Sequence, residues 1–202
     1  MKMLIITTAA LVSLGIILQG WVMSISDVEE QPYKVVMSID KVEIRYYPPA
    51  RMLSVLSKTP QEETKQTNNS NFRVLAGYIF GGNSTQQKFA MTTPVHMHQT
   101  DTGSRMSFVF PQQTWNATLP EPNDQSIKFH WSEAQYVAAI RFGGFRTPEL
   151  EFEHQKQLIK TLSTHGIEHM SDFRMLGYDP PFKMVNRRND LIVSIDPETV
   201  PK

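Results

Sequence analysis

The sequence has no cysteine and no surplus of charge, and each absence narrows what the chain can do. Without a thiol it forms no disulfide, no thiolate metal site and no thioether to a cofactor, so its fold depends on a hydrophobic core. Lys and Arg together number 20, and so do Asp and Glu. A balanced chain has no electrostatic surplus to drive binding to nucleic-acid phosphates, and no nucleic-acid partner is expected.

Catalytic motifs are also lacking. The chain has no Gly-x-Ser-x-Gly elbow, no phosphate-binding loop, no His-Glu-x-x-His sequence and no cysteine nucleophile. Glu43, Glu133 and Glu168 have the chemistry of acids or bases, but the sequence pairs none of them with a partner. The sequence therefore predicts a protein that is not an enzyme.

One long stretch near the amino terminus lacks charge altogether. The chain runs uncharged from Leu4 to Ser26, which is long enough to span a bilayer, and residues 22–24 form a fair cleavage site. Residues 1–26 are therefore predicted to be a signal peptide or a signal-anchor segment that contacts a membrane. Residues 27–202 are the predicted domain, exported or membrane-anchored outside the cytoplasm, and periplasmic if the source is bacterial.

The first half of this domain alternates between strand and helix patterns. Residues 33–37 and 42–46 are typical of a hairpin in which Val42, Ile44 and Tyr46 share a face, and residues 51–56 predict a further strand. Residues 59–62, TPQE, form a capping box that begins a helix, and the helix is expected to end at Phe80. Its buried stripe is predicted to contain Phe72, Leu75, Ala76, Ile79 and Phe80.

The second half repeats this plan. Residues 127–131 and 136–142 are predicted strands, and Thr147 followed by Pro148 begins a second helix. Residues 191–195 form the closing strand. The buried stripe of the second helix is predicted to contain Leu150, Leu158 and Leu162, and Gly166 ends it.

Equivalent features of the two halves keep nearly one offset. Thr59 and Thr147 are 88 residues apart, and Pro94 and Pro181 are 87 apart. Phe108 and the closing strand's Ile195 are also separated by 87 residues. We interpret this as a duplication with pseudo-repeats 33–111 and 125–196. The alternative is a coincidence, because Thr-Pro and Pro commonly begin or end helices and strands.

Two strand-helix-strand-strand units predict an α+β fold. Short turns between the strands favour mostly antiparallel pairing. Two such halves can curl into an open barrel with the helices alongside, leaving an apolar crevice where helix meets sheet.

Five motifs then occur in a specific order: EIRYY (43–47), GYIFGGN (77–83), MTTPV (91–95), FGGF (142–145) and GYDPPFKMVNRRND (177–190). In order and spacing they resemble the SOUL haem-binding protein family over residues 33–195. The resemblance implies a duplicated, distorted β-barrel with two flanking helices that binds haem or another tetrapyrrole reversibly. Composition and periodicity alone stop at a small α+β domain with a crevice.

The resemblance also directs attention to particular side chains. The family's first helix borders the ligand, so Leu75, Ala76 and Ile79 are expected to form one wall of a haem site. Lys183 is the first candidate for a haem propionate because it lies in the long GYDPPFK match. Arg187 is a second, either at the pocket rim or at a solvated hairpin tip.

Tyr46 occupies the position at which some family members carry histidine. A tyrosine phenolate can ligate ferric haem, so Tyr46 is a candidate axial ligand and the only candidate metal ligand. The alternation with Val42 and Ile44 favours a core tyrosine instead. His96 and His98 share a strand face, but no third ligand of matching context lies near them in the sequence, which favours surface or loop histidines.

The function expected from these observations is non-covalent haem or tetrapyrrole binding by a membrane-anchored or exported carrier, buffer or sensor. The alternative is a non-enzymatic effector-sensing or protein-interaction module that uses the same crevice for another amphipathic ligand or for a partner's helix.

Overall fold

The computed structural model describes residues 28–58, 64–100, 102–180 and 182–201. The predicted signal or anchor segment 1–26, the capping box at 59–62 and Pro181 lie outside the described residues. Within the described ranges, no helix is both long and apolar enough to cross a membrane.

The described residues form strands and two α-helices, which we number along the chain. The first half contains β1 Glu29–Glu30, β2 Lys34–Ile39, β3 Val42–Tyr47, β4 Arg51–Ser57, α1 Thr64–Ile79, β5 Thr92–Thr93, β6 Val95–Thr100 and β7 Gly103–Val109. The second half contains β8 Lys128–Trp131, β9 Gln135–Phe142, α2 Pro148–Thr164, β10 Arg174–Gly177 and β11 Asn189–Ser194. Short 3-10 helices lie at Gln112–Thr114 and Pro197–Thr199.

Nine of the strands form one antiparallel sheet in the order β2-β3-β9-β11-β10-β6-β7-β4-β8, which curls into a half-barrel. Without the edge strand β2, the order is symmetric about the β10–β6 pair. Reading inwards from the two ends, β3 corresponds to β8, β9 to β4, β11 to β7 and β10 to β6. The first strand of each unit pairs with the second strand of the other, as β3 with β9 and β8 with β4. This arrangement confirms the predicted duplicated α+β fold.

Helix α1 packs on β4 and β7 through part of its predicted stripe. Leu75, Ala76 and Ile79 are buried, as expected, and Tyr78 is buried beside them. The prediction was wrong for Phe80, which is 61% exposed, because Ile79 is the last helical residue and Phe80 lies in the turn that follows it. Phe72 is 37% exposed, although its ring contacts Phe108 edge-on at 5.3 Å between centroids.

Helix α2 begins where the sequence predicts. The Thr147 side chain accepts a hydrogen bond from the Leu150 amide at 3.3 Å, and Pro148 occupies the first helical position, where no amide hydrogen is needed. Leu158 and Leu162 are buried, but Leu150 lies in the first turn and is exposed, contrary to the prediction. Gly166, with a φ of 66°, follows the end of the helix.

The two helices lie on one face of the sheet, which we call the helical face. On this face α1 covers an apolar cluster that includes Leu53, Phe108 and Phe110, and α2 covers a second cluster that includes Ile44 and Val193. Met97 of β6 packs against both clusters, so it lies where the two helical layers meet.

The other side of the sheet, which we call the opposite face, carries polar as well as apolar side chains. The segment before β2 lies against its middle: β1 pairs in parallel with β5, and the Gln31 amide donates to the Thr93 carbonyl at 2.7 Å. The Tyr33 ring packs at a tilt against Tyr47 of β3, with the ring centroids 5.2 Å apart. Side chains on both faces of the central strands are therefore buried.

Candidate functional site

The loop that joins β10 to β11, residues 178–188, holds the predicted propionate cations. Lys183 donates to the Asp179 carboxylate at 2.5 Å, and the Arg188 amide donates to the other oxygen of the same group. Burial alone would raise the pKa of Asp179, but the Lys183 hydrogen bond and charge and the Arg188 amide together hold it below its usual value. Lys183 remains 39% exposed, so its ammonium can meet a ligand as well as Asp179.

Arg187 shapes this loop from within. Its Nη1 donates to the carbonyls of Pro180 and Lys183, each at 2.8 Å. Its guanidinium also lies 4.9 Å from the centre of the Phe145 ring. These contacts give Arg187 a structural role in the loop, and its place in ligand binding stays a prediction.

Apolar side chains of the loop project into solvent. Phe182, Met184 and Val185 are each about 70% exposed, and Phe145 on the adjoining β9–α2 loop is 49% exposed. The two loops are joined by the Arg187–Phe145 contact and by a 3.0 Å hydrogen bond from the side-chain amide of Asn189 to the Gly144 carbonyl. Together they present an apolar surface with a cation at its edge, a combination that suits an amphipathic ligand.

The loop adjoins the strip of sheet between the two helical layers, where Met97 packs against both clusters; we identify this strip with the predicted crevice and call it the crevice. Gly177, at the end of β10, pairs with Val95, at the start of β6, and both are only half buried. The Arg146 guanidinium reaches across to within 2.7 Å of the Met97 sulfur and forms an ion pair with Glu151 at 2.8 Å. The floor of the crevice is thus apolar and only half buried, with the Arg146 cation over its centre at Met97 and Lys183 on the adjoining loop.

Leu75, Ala76 and Ile79 do not line this crevice directly. All three are buried in the α1 cluster, against which Val95 and Met97 pack from the crevice side. They support the crevice through Val95, and direct contact with a ligand stays a prediction.

Tyr46 lies apart from the other predicted site residues. It is half buried on β3, with its ring 5.1 Å from the ring of Tyr136, its partner on β9. Asn189, at the end of the β10–β11 loop, pairs with Phe142, which is six residues further along β9. At roughly 3.3 Å per residue these points are about 20 Å apart. The structure therefore does not bring Tyr46 together with Lys183 and Arg187.

His96 is not the surface or loop histidine that the sequence favours. It lies in the middle of the sheet on β6, is buried, and its Nε2 is 2.7 Å from the Gln31 side-chain oxygen. Burial first, and then the charges of Arg174 and His130, lower its pKa to about 3. His98 is half buried on the same strand. Among the described residues no three His, Asp or Glu side chains converge to hold a metal.

Sequence reasoning missed a buried charge network on the opposite face. Asp190 is fully buried and accepts hydrogen bonds from Arg45 at 2.7 Å, from Tyr178 at 3.1 Å and from Arg188 at 3.2 Å. Arg45 is 99% buried on β3 and also pairs with Glu43 at 2.7 Å. A signal existed, since Arg45 and Asp190 both fall within family-like motifs and inside strands.

The network keeps the Asp190 carboxylate ionised and the Tyr178 hydroxyl protonated. Burial alone would raise the pKa of Asp190, but the charges and hydrogen bonds of Arg45 and Arg188 outweigh it and lower the pKa. Burial also raises the pKa of Tyr178, which keeps its hydroxyl protonated as a donor to Asp190. Arg188 stacks 3.6 Å above the Tyr178 ring and pairs with Glu30 at 3.1 Å, so the network ties the β10–β11 loop to the N-terminal segment.

Solved structures establish the class of fold. The chain superposes on the C-terminal domain of EcmrR with a TM-score of 0.54 and 9% identity, covering 81% of this chain and 98% of that domain. It also superposes on a hydrolase from Listeria innocua with a TM-score of 0.51 and 10% identity, over 80% of this chain and 94% of that one. At such low identity these likenesses show a shared fold alone.

Sequence comparison identifies the family. The profile described as SOUL heme-binding protein matches residues 28–194, and the chain belongs to that family. Heme-binding protein 1 of Mus musculus is 30% identical over 122 residues, which is 56% of this chain and 64% of the mouse protein. Heme-binding protein 1 of Sus scrofa is 26% identical over 174 residues, 81% of this chain and 91% of the pig protein. The mouse match thus spans less than two thirds of that relative's length.

Proposed function

We propose that this protein binds haem or a related tetrapyrrole reversibly, as a carrier, buffer or sensor without chemistry of its own. The observation that carries the proposal is family membership over residues 28–194, since relatives within the family are named as heme-binding proteins. The crevice and the β10–β11 loop support it with two chemical features that suit haem, apolar side chains for the macrocycle and a cation for a propionate.

The site that fits best is the crevice together with the β10–β11 loop. Val95 and Met97 form its floor, and Phe182, Met184 and Val185 can cover the macrocycle from the loop. Lys183 lies on the same loop, where it can share its ammonium between Asp179 and a propionate. Capture by this surface needs no axial ligand, which accommodates the distant position of Tyr46.

Titration of the full chain with hemin, followed by the Soret band, tests the proposal. We expect a saturable shift at micromolar haem. Lys183→Ala should weaken binding by about 1 kcal/mol or more, because a charge-assisted contact with a propionate is lost. Tyr46→Phe should leave the shift unchanged if capture is hydrophobic, whereas loss of the shift in this variant would establish a phenolate ligand.

Two variants are matched controls for these substitutions. Lys41→Ala removes an exposed lysine from the β2–β3 turn, and Tyr136→Phe removes the hydroxyl of the tyrosine that packs on Tyr46. Neither should alter hemin affinity. Absence of a saturable shift in the parent chain would refute haem binding and favour an interaction module, and equal weakening by Lys41→Ala would remove Lys183 from the site.

We further propose that the chain is held at a membrane, or exported, by residues 1–26, with the domain outside the cytoplasm. The support is the uncharged run from Leu4 to Ser26 after Lys2. In cells that express the full chain, we expect the protein to sediment with membranes and to resist alkaline carbonate, or to appear as a shortened exported form. Recovery of an intact, freely soluble cytoplasmic chain would contradict this proposal.

A further inference from the structure

A row of basic side chains crosses three neighbouring strands on the opposite face. Arg174 of β10 pairs in register with His98 of β6, which pairs in register with Arg105 of β7. Directly paired residues place their side chains on the same face of a sheet, with Cβ atoms about 5 Å apart. The three side chains therefore form a continuous basic row, and we call it the Arg174–Arg105 row.

Further histidines flank this row. His96 lies two residues before His98 on β6 and therefore on the same face, and His130 of β8 pairs with Met52 of β4. The pKa of His98 is lowered mainly by burial and then by the charge of Arg174, and the charge of Arg105 lowers it further. Burial and then the charge of Arg105 lower the pKa of His130. These couplings show that the basic groups lie close enough to act on one another.

Among the described residues, one acid acts on the row. Asp172 forms an ion pair with Arg174 at 3.3 Å, and its charge also acts on His98. Arg174 also donates to the side chains of Gln135 and Ser194, yet within the described part of the chain its buried Nε has no hydrogen-bond partner. Arg105 is exposed, and its side chain forms neither a hydrogen bond nor an ion pair with any described residue.

Other arginines of this protein show how the chain neutralises a guanidinium charge, since Arg45 and Arg188 share the buried Asp190. In the Arg174–Arg105 row, Asp172 partly neutralises Arg174, but Arg105 has no acid partner among the described residues, so an external anion is the natural counter-charge there. Arg174 and Arg105 stand two strands apart, about 10 Å between backbones, so a ligand that reaches both must carry two separate anionic groups.

We propose that the Arg174–Arg105 row binds a small organic or inorganic polyanion, with one anionic group at Arg105, another at Arg174, and His98 between them. The site lies on the opposite face of the sheet from the crevice, and its existence does not depend on the proposed function. Two carboxylates of a tetrapyrrole and the phosphates of a separate ligand share this chemistry. Competition between pyrophosphate and a porphyrin distinguishes these two sources.

Inorganic pyrophosphate is a suitable probe, with the ring protons of the six histidines of the full chain observed by NMR. We expect saturable shifts for His98 and His130 and no shift for His154 and His165 on and beyond α2. Arg105→Gln should weaken binding roughly tenfold or more, because a charge-assisted contact is lost. The matched control is Arg73→Gln, which removes an exposed arginine of α1 and should leave the affinity unchanged.

Zinc protoporphyrin distinguishes the two sources, since it carries two carboxylates and is diamagnetic. Displacement of pyrophosphate from His98 by this porphyrin would support a tetrapyrrole as the occupant of the row, and simultaneous binding of both would support a separate anion. The proposal is overturned if no shift saturates below about 10 mM, if all the histidines shift alike, or if Arg73→Gln weakens binding as much as Arg105→Gln. Hemin titration of the crevice is read separately in the Soret band, so the two proposals fail independently.

Discussion

Replacing Asp190 with asparagine is expected to lower the free energy of unfolding by about 3–5 kcal/mol. The substitution keeps the shape of the side chain but removes the charge that Arg45 and Arg188 share, at 2.7 and 3.2 Å. Arg45 is 99% buried, so its guanidinium would be left in the protein interior without its main counter-charge. Urea unfolding of the full chain, followed by tryptophan fluorescence, measures the loss.

Glu43→Gln is the control for this prediction. Glu43 also pairs with Arg45 at 2.7 Å, but about a third of its side chain is exposed, so solvent screens the interaction and a loss below about 1 kcal/mol is expected. Combining Arg45→Met with Asp190→Leu should recover part of the stability, because the guanidinium of Arg45 is then no longer buried without its main counter-charge. Similar losses from Asp190→Asn and Glu43→Gln would show that the buried network does not stabilise the fold.

The sequence predicts those parts of the fold that local chemistry determines. Thr147 and Pro148 place the start of α2 correctly, since the cap needs only residues within one turn. Alternation over residues 42–47 predicts β3, and the repeated offset predicts a duplication that the symmetric strand order confirms. The exchange of first strands between the two units has no local signal, because β3 and β9 are about 90 residues apart in sequence.

The errors arise from long-range burial. Period-two alternation separates Arg45 from the face of Val42 and Ile44 but does not show that Arg45 is buried, because its partner Asp190 is 145 residues away and Tyr33 of the N-terminal segment covers it. His96 is misread for the same reason, because Gln31, which buries it, is 65 residues away. In the candidate site, too, the contiguous parts are predicted and the long-range contacts are not. Lys183 and its loop are found through a contiguous motif, whereas Met97 is recognised as the floor of the crevice only when both helices are in place.

His96 should make the stability of the protein depend on pH in the mildly acidic range. Its Nε2 donates to the Gln31 oxygen, which can only accept, and burial and the Arg174 charge lower the pKa of the ring to about 3. In the unfolded chain the histidine has a pKa of about 6.5, so below that pH the unfolded state binds a proton that the folded state does not bind. The stabilisation is complete above pH 6.5 and is lost as the pH falls towards 3, by about 1.4 kcal/mol per pH unit.

Comparison of the parent chain with His96→Gln isolates this contribution, because glutamine retains a donor for Gln31 but does not titrate. From pH 6.5 to 4.5, urea unfolding should show the parent losing roughly 2–3 kcal/mol more than the variant. His98 and His130, whose pKa values are also lowered, are present in both proteins and cancel in the difference. His165→Gln, an exposed control just beyond α2, should keep the parental slope. Parallel slopes for the parent and His96→Gln would mean that His96 is accessible to protons in the folded state, and that the Gln31 contact does not close this part of the sheet.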